Sequence, residues 1–244
     1  MSELWIRTYH SGTVPLLCLP YVGGSATAYR PLSALLAPAV QPLIVQLPGR
    51  QDRHTEPCLD TISELADQIF TAIAPWTEAP LALFGHSMGA VLAFEVAQRL
   101  ERKLGMPPLH LFASGRRAPS CIRDERVHTR PDAGIVAELA SLNGTSAELL
   151  GDPEIVAMIM PAVRADYRAI ETYRPEPDAT VGCPVTVLTG DADPQTTAAE
   201  AAALREHTTG RFELTTYPGK HFFLNDHLPA IAALITRALS DKTG

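Results

Sequence analysis

The chain has little of what marks a secreted, membrane-spanning or nucleic-acid-binding protein. Its four cysteines, Cys18, Cys58, Cys121 and Cys183, are scattered, with no C-x-x-C pair and no Cys/His cluster, so no zinc site is predicted. Cys18 lies in an apolar stretch and is expected to be a small core residue. No apolar run approaches the roughly 18 residues of a membrane-spanning helix. The N-terminus lacks a basic region followed by an apolar one, so no secretion signal is predicted. Together these absences predict a cytoplasmic protein with reduced thiols. Positive charge is not in excess. The formal net charge is −7, which argues against nucleic acid as the main partner. Internal repeats and low-complexity segments are also missing. What remains is ordinary globular material, 46% hydrophobic and 19% charged over 244 residues, enough for one α/β domain with an inserted subdomain.

The most informative stretch is Leu81 to Leu100. Leu81-Ala82-Leu83-Phe84 is a continuous apolar run, as in a buried parallel strand. Gly85-His86-Ser87-Met88-Gly89 is a G-x-S-x-G pentapeptide. Ala90 to Leu100 has apolar residues at Val91, Ala93, Phe94, Ala97 and Leu100, which is helical spacing. By composition alone a bare G-x-S-x-G turns up by chance in roughly one chain in ten of this length, so its context decides. Strand, pentapeptide and helix together predict a nucleophile elbow. Its glycines let strand and helix approach each other. Ser87 is pushed out at the strand end, and the Met88 N–H at the helix start faces a developing oxyanion.

Strand and helix patterns alternate along most of the chain. Strands are predicted at Leu4–Ile6, Pro15–Leu19, Leu43–Leu47, Leu109–Ala113, Pro184–Thr189 and Phe212–Thr216. Helices are predicted at Ala28–Ala37, Thr61–Ala74, Thr196–His207 and Leu228–Leu239. Ser63 is one candidate to tie the first turn of the helix after Thr61. This alternation implies a mostly parallel central sheet with helices on both faces. The rhythm breaks between Pro119 and Val181. There the pattern holds no good strand, but helices near Pro131–Leu142, Ser146–Leu150 and Pro153–Tyr173, the last in one piece or two. Residues 119–180 therefore read as a helical lid insertion, and 1–118 with 181–244 as the core.

A serine hydroxyl needs a base, and the base needs a group to orient it. On a sheet of this kind the partners follow in the order Ser…Asp/Glu…His, on loops after later strands. Asp193 follows the strand ending at Thr189, with Asp191 as the alternative. His221 follows the strand ending at Thr216. His86 is expected to pack beside the serine, and His207, ending a helix, to complement its dipole. The second oxyanion donor belongs on the loop Pro20-Tyr21-Val22-Gly23-Gly24-Ser25, with the Val22 N–H preferred and Tyr21 as the alternate. The candidate set is thus Ser87, Asp193 and His221 for catalysis, and Met88 and Val22 for the oxyanion hole. No metal or organic cofactor is called for. Ile155, Met158, Ile159 and Met160 either line an acyl channel or pack on the sheet.

Five blocks of the sequence, Leu19-Pro20-Tyr21-Val22-Gly23-Gly24, Leu47-Pro48-Gly49-Arg50, Gly85 to Ala90, Gly190-Asp191-Ala192-Asp193 and Gly219 to Phe223, together resemble the type II thioesterases. These are the stand-alone α/β-hydrolases associated with polyketide synthases and nonribosomal peptide synthetases. The similarity runs from about Pro15 to Leu239. It includes Arg164-Ala165-Asp166-Tyr167 and Tyr173, which resemble the family's lid helix. The chain departs at Tyr21-Val22, where the family more often has an aromatic residue or histidine followed by alanine, a change that would narrow the acyl end of the site. The resemblance implies an α/β-hydrolase fold and an editing thioesterase. Such an enzyme hydrolyses stalled or aberrant acyl groups from the phosphopantetheine arm of acyl or peptidyl carrier domains, which would be its partners. An esterase, acyltransferase or chain-releasing thioesterase would use the same residues. A non-catalytic binding protein would not need all of them.

Overall fold

The computed structural model describes residues 2–142, 144 and 147–240. Seven strands form one sheet: β1 (Ile6–Arg7), β2 (Val14–Leu19), β3 (Val40–Val45), β4 (Ala82–His86), β5 (Leu111–Ser114), β6 (Val185–Gly190) and β7 (Phe212–Tyr217). Their order is β1-β3-β2-β4-β5-β6-β7. Only β1 runs antiparallel to its neighbour. Between them lie helices α1 (Ser2–Trp5), α2 (Arg30–Leu36), α3 (Ile62–Ala72), α4 (Met88–Leu104), α5 (Asp132–Leu142), α6 (Ala147–Leu150), α7 (Pro153–Thr172), α8 (Ala198–Ala202) and α9 (Leu228–Ser240). This is the α/β-hydrolase arrangement. Among the described residues no helix is long and apolar enough to cross a membrane.

Alternating side chains of the strands supply two cores. On one face Leu17, Leu43, Leu83 and Val187 pack with Ile62, Leu65 and Ile69 of α3 and with the buried side of α4. On the other Leu16, Ile44, Phe84 and Phe112 pack with Leu32 and Leu36 of α2 and Ile231 and Ile235 of α9. A central parallel strand covered on both faces has no polar side, which is why β4 reads as an unbroken apolar run.

Several boundaries differ from the sequence expectation. Of Leu4–Ile6 only Ile6 joins the sheet, because the preceding residues form the turn of helix α1. Strand β3 begins at Val40 and runs through Pro42. Its outer neighbour β1 reaches only Ile44 and Val45, so Pro42 has no strand partner on its outer edge, where a missing N–H is tolerated. Thr61, not Ser63, caps α3: its Oγ1 accepts the Glu64 N–H and donates to the Glu64 carboxylate. The helix expected over Thr196–His207 splits into α8 and a 3₁₀ turn over Ala203–His207. His207 is engaged by side-chain contacts, not left to the helix dipole. Its Nδ1–H donates to Ala179 O at 2.8 Å and its Nε2 lies 2.9 Å from Ser120 Oγ.

Those two partners flank the segment between β5 and β6, which holds α5, α6 and α7. Ser146, expected to begin the second of these, lies outside the described residues. Helix α7 is one piece despite Pro161, and Asp152 caps it by accepting the Glu154 and Ile155 amides. Val127, Ile135, Leu139, Met160, Val163 and Tyr167 form a separate apolar cluster here, against which Val22 also packs.

Candidate active site

Between β4 and α4 the chain turns on Ser87, whose backbone sits at φ 55°, ψ −119°. A non-glycine residue there stores about 1–3 kcal/mol of strain, held by the packing on either side. A Cβ at Gly85 would lie 2.0 Å from Gly89 O, and one at Gly89 would lie 2.1 Å from Leu19 O. Only glycine allows β4, α4 and β2 to come this close. The Ser87 N–H is tied to Ser114 O at 2.8 Å, which joins the elbow to β5. Met88 is the first residue of α4, so its N–H has no intrahelical acceptor and lies at the positive end of the helix.

The loops after β6 and β7 meet beside this turn. A Cβ at Gly190 would lie within 2.6 Å of both Gly219 O and Lys220 O, so the two loops touch backbone to backbone. His221 Nδ1 lies 2.9 Å from Asp193 Oδ2 and 3.1 Å from Oδ1, with both side chains buried. Asp193 Oδ1 also accepts the Gln195 N–H at 2.8 Å. Asp191 faces elsewhere and accepts the Gly219 N–H at 2.9 Å. With Nδ1 committed to the carboxylate, Nε2 of His221 is the nitrogen left for chemistry. Ser87, His221, Tyr21 and Val22 line one cavity of about 230 Å³.

His86 is fully buried, with Nδ1 2.9 Å from Ser114 Oγ and its ring centroid 5.0 Å from that of His221. Burial first, then the His221 charge, holds its pKa well below the usual histidine value, so it packs beside the serine as a neutral ring. The loop expected to carry the second oxyanion donor is a four-residue turn closed by Gly24 N–H donating to Tyr21 O at 2.8 Å. Gly23, the third residue, has φ +70°, and Val22 is not left-handed, which is the type II form. A trans peptide points its N–H opposite its C=O. With Tyr21 C=O turned into the turn, the Val22 N–H points out of it. The amides of Gly23 and Gly24 are both in use.

Three features carried no assigned role in the sequence. Asp166 of α7 and Arg50 form a buried bidentate ion pair that touches the Tyr21–Gly24 turn. Both sit in blocks picked out as motifs, but only the fold brings them together. Arg116, two residues past β5, lines the cavity, and among the described residues it makes no hydrogen bond or ion pair. Burial, then the neighbouring Arg117, pushes its pKa down to about 9. Glu125, Glu138 and Glu171 line the same cavity, and each is already bonded, to Arg117, to Arg130 and Gln195, and to His128 with two backbone amides. Of the four apolar residues of α7 named above, Met158 and Ile159 line a second cavity of about 240 Å³ beside Gly23 and Arg50. Met160 is buried in the apolar cluster between β5 and β6. The apolar wall near Ser87 comes instead from Val127, Leu139, Leu142 and Ile170.

The thioesterase domain family model matches residues 14–239. The chain is 53% identical over 238 residues to a probable cadicidin biosynthesis thioesterase of Streptomyces griseus, covering 96% of this chain and 66% of that protein. It is 46% identical over 250 residues to thioesterase PikA5 of Streptomyces venezuelae, covering 98% and 89% of the two chains. The structure of the type II thioesterase BorB, from the borrelidin biosynthetic cluster, superposes with a TM-score of 0.91 at 48% identity, over 98% of this chain and 99% of that one. On the family match and these relatives, the chain belongs to the thioesterase family.

Proposed function

We propose that this chain is an editing thioesterase of polyketide or nonribosomal peptide assembly, hydrolysing stalled or aberrant acyl groups from the phosphopantetheine arm of carrier domains. The observation that carries the chemistry is the junction of a half-buried elbow serine that lines a cavity, a buried His221–Asp193 pair and a helix N-terminus. The class of acyl donor is supported by similar thioesterases of known structure, among them ClbQ from the colibactin NRPS/PKS pathway and YbtT from the yersiniabactin NRPS/PKS pathway. The partners are then acyl or peptidyl carrier domains, and the work is cytoplasmic, beside the synthase. Residues 119–180 act as a lid over the core made by 1–118 and 181–244.

In this reading His221 Nε2 takes the Ser87 proton as Oγ attacks the thioester carbonyl. Asp193 holds the ring with Nε2 free and stabilises the imidazolium. The tetrahedral oxyanion is received by the Met88 and Val22 N–H groups. The C–S bond breaks and the arm's thiol leaves with the proton from His221. A water, deprotonated by His221, then attacks the acyl-serine ester; the bond to Ser87 Oγ breaks, His221 returns its proton to Oγ, and the acid is released. No step needs a metal or an organic cofactor. The arm arrives as part of the substrate.

The test is hydrolysis of a panel of acyl-loaded carrier proteins alongside the matching free acyl-thioesters and oxygen esters. The proposal expects thioesters to be preferred to oxygen esters and the carrier-bound form to be preferred to the free one. Preference for oxygen esters would make the chain an esterase. Indifference to the carrier would remove the carrier domain as partner. Ser87→Ala should abolish turnover and leave thermal stability near wild type.

A further inference from the structure

The oxyanion turn is held from outside its own loop by a residue 143 positions away in sequence. The Gly23 N–H donates to Asp166 Oδ2 at 2.8 Å. Asp166 belongs to α7, its side chain is wholly buried, and both of its carboxylate oxygens accept hydrogen bonds. Oδ2 also accepts from Arg50 Nη1 at 2.7 Å, and Oδ1 accepts from Arg50 Nη2 at 2.8 Å. Arg50 returns to the turn, donating from Nη1 to Gly24 O at 3.1 Å and from Nε to Pro48 O at 3.3 Å. Helix α7 also rests on the turn directly, since a Cβ at Gly23 would sit 3.0 Å from Val163 Cγ2. Burial lowers the Arg50 pKa, but Asp166 outweighs it and leaves it raised overall, so the pair is ionic.

A buried ion pair stabilises a fold little better than apolar side chains of the same size, because desolvation cancels much of the attraction. What this pair supplies is direction. The peptide planes on either side of Val22 are each fixed by one hydrogen bond. The plane carrying the Val22 N–H is set by Gly24 N–H to Tyr21 O. The next plane is set by Gly23 N–H to Asp166. Losing the pair removes both outside holds on the turn, at the Gly23 N–H and at Gly24 O, and leaves the turn's own Gly24-to-Tyr21 bond to keep the plane of the Val22 N–H in place.

We propose that Asp166 and Arg50 are positioning residues for acyl transfer: through them the inserted helix holds the oxyanion turn with the Val22 N–H aimed at the Ser87 cavity. This rests on the reading of Val22 as an oxyanion donor. The C-terminal half of α7 is therefore part of the catalytic scaffold, and lifting it off the core would disarm the hole.

The test uses the paired variant Arg50→Met with Asp166→Leu, which leaves no orphaned charge behind, and Asp166→Asn, which turns one of the two accepting oxygens into an NH2 donor set against either Arg50 Nη2 or the Gly23 N–H. The paired variant should fold, keep KM within about twofold, and lose about 10- to 100-fold in kcat, less than the loss of a whole donor. Inhibition by an alkyl boronic acid, whose tetrahedral anion occupies the oxyanion hole, should weaken in proportion. The pH profile should keep its midpoint, because His221 and Asp193 are untouched. Asp166→Asn should lose at least about fivefold in kcat on the same grounds and decides the matter if the paired variant does not fold. A folded variant with wild-type kcat and boronate affinity, or a loss wholly in KM, overturns the proposal. Ser87→Ala run in parallel separates the two failures. If it retains turnover, the serine-hydrolase reading itself fails. If it is dead while the positioning variants are fully active, only this inference fails.

Discussion

Replacing Val22 by proline isolates a single hydrogen atom. Val22 is the second residue of a type II turn, the position where proline is favoured, since its fixed φ suits the turn. The substitution should therefore leave the turn folded while deleting the N–H that we assign to the oxyanion. The Gly24-to-Tyr21 bond and the Gly23-to-Asp166 bond use other amides and survive. Removing one oxyanion donor costs about 2.7–4 kcal/mol, a fall of about 10²–10³ in kcat. Val22 also packs against the insertion's apolar cluster, so Val22→Ala is the control for lost packing. The assay is steady-state hydrolysis of a short acyl-thioester, with melting temperature measured on each variant. Val22→Pro should fall about a hundredfold or more below Val22→Ala at similar stability. A folded Val22→Pro enzyme within about threefold of Val22→Ala would refute the reasoning and move the donor to Tyr21.

Asp193→Asn should cost about 10⁴ in kcat, because the amide stabilises the wrong tautomer of the base, whereas Asp191→Asn should cost less than about tenfold, since the Asp191 carboxylate accepts the Gly219 amide and an amide oxygen can do the same; kinetics on the two variants give the ranking. Arg116→Met should raise the melting temperature by about 2–4 °C, equivalent to about 1 kcal/mol, because it removes a half-buried cation that makes no ion pair among the described residues; a fall would show that the more distant carboxylates, Glu125 and Glu200, act as its counter-charge. The Glu200 carboxyl is held down at about 2, first by the hydrogen bond from Arg123. A carboxyl whose folded pKa is depressed stabilises above its unfolded value, so this contribution is lost as pH falls from about 4.5 toward 2. Both side chains are partly exposed, which keeps the effect below about 3 kcal/mol. Glu200→Gln should flatten that part of the stability–pH curve in denaturant titrations, and an unchanged slope would contradict it.

What could be read in the chain follows from how local the physics is. Strand β4, the elbow and α4 are contiguous, and a strand buried on both faces, two obligatory glycines and a helix leave their mark within twenty residues. Asp193 and His221 are distant from Ser87, yet each sits just past a strand end, and a parallel sheet delivers all such ends to one edge. Details that depend on a neighbour were hidden. The start of β3 at Val40 depends on how little of β3 is covered by β1. The cap at Thr61 depends on the Glu64 side chain folding back. The split of the Thr196–His207 helix and the engagement of His207 with Ser120 and Ala179 follow from where the insertion's stems lie. The Arg50–Asp166 pair had no local signal, since 116 residues separate two charges that each look like surface residues in sequence. Arg116 was invisible for the opposite reason, because what distinguishes it is the partner it lacks among the described residues.

The most direct measurement is rapid chemical quench of the wild-type enzyme with an acyl-loaded carrier protein, followed by peptide mass analysis. The account predicts the acyl mass on the peptide carrying Ser87 at early times, lost as free acid appears, and neither adduct nor acid when His221 is replaced by alanine. Steady turnover with the adduct on another residue, or with Ser87→Ala fully active, would contradict it.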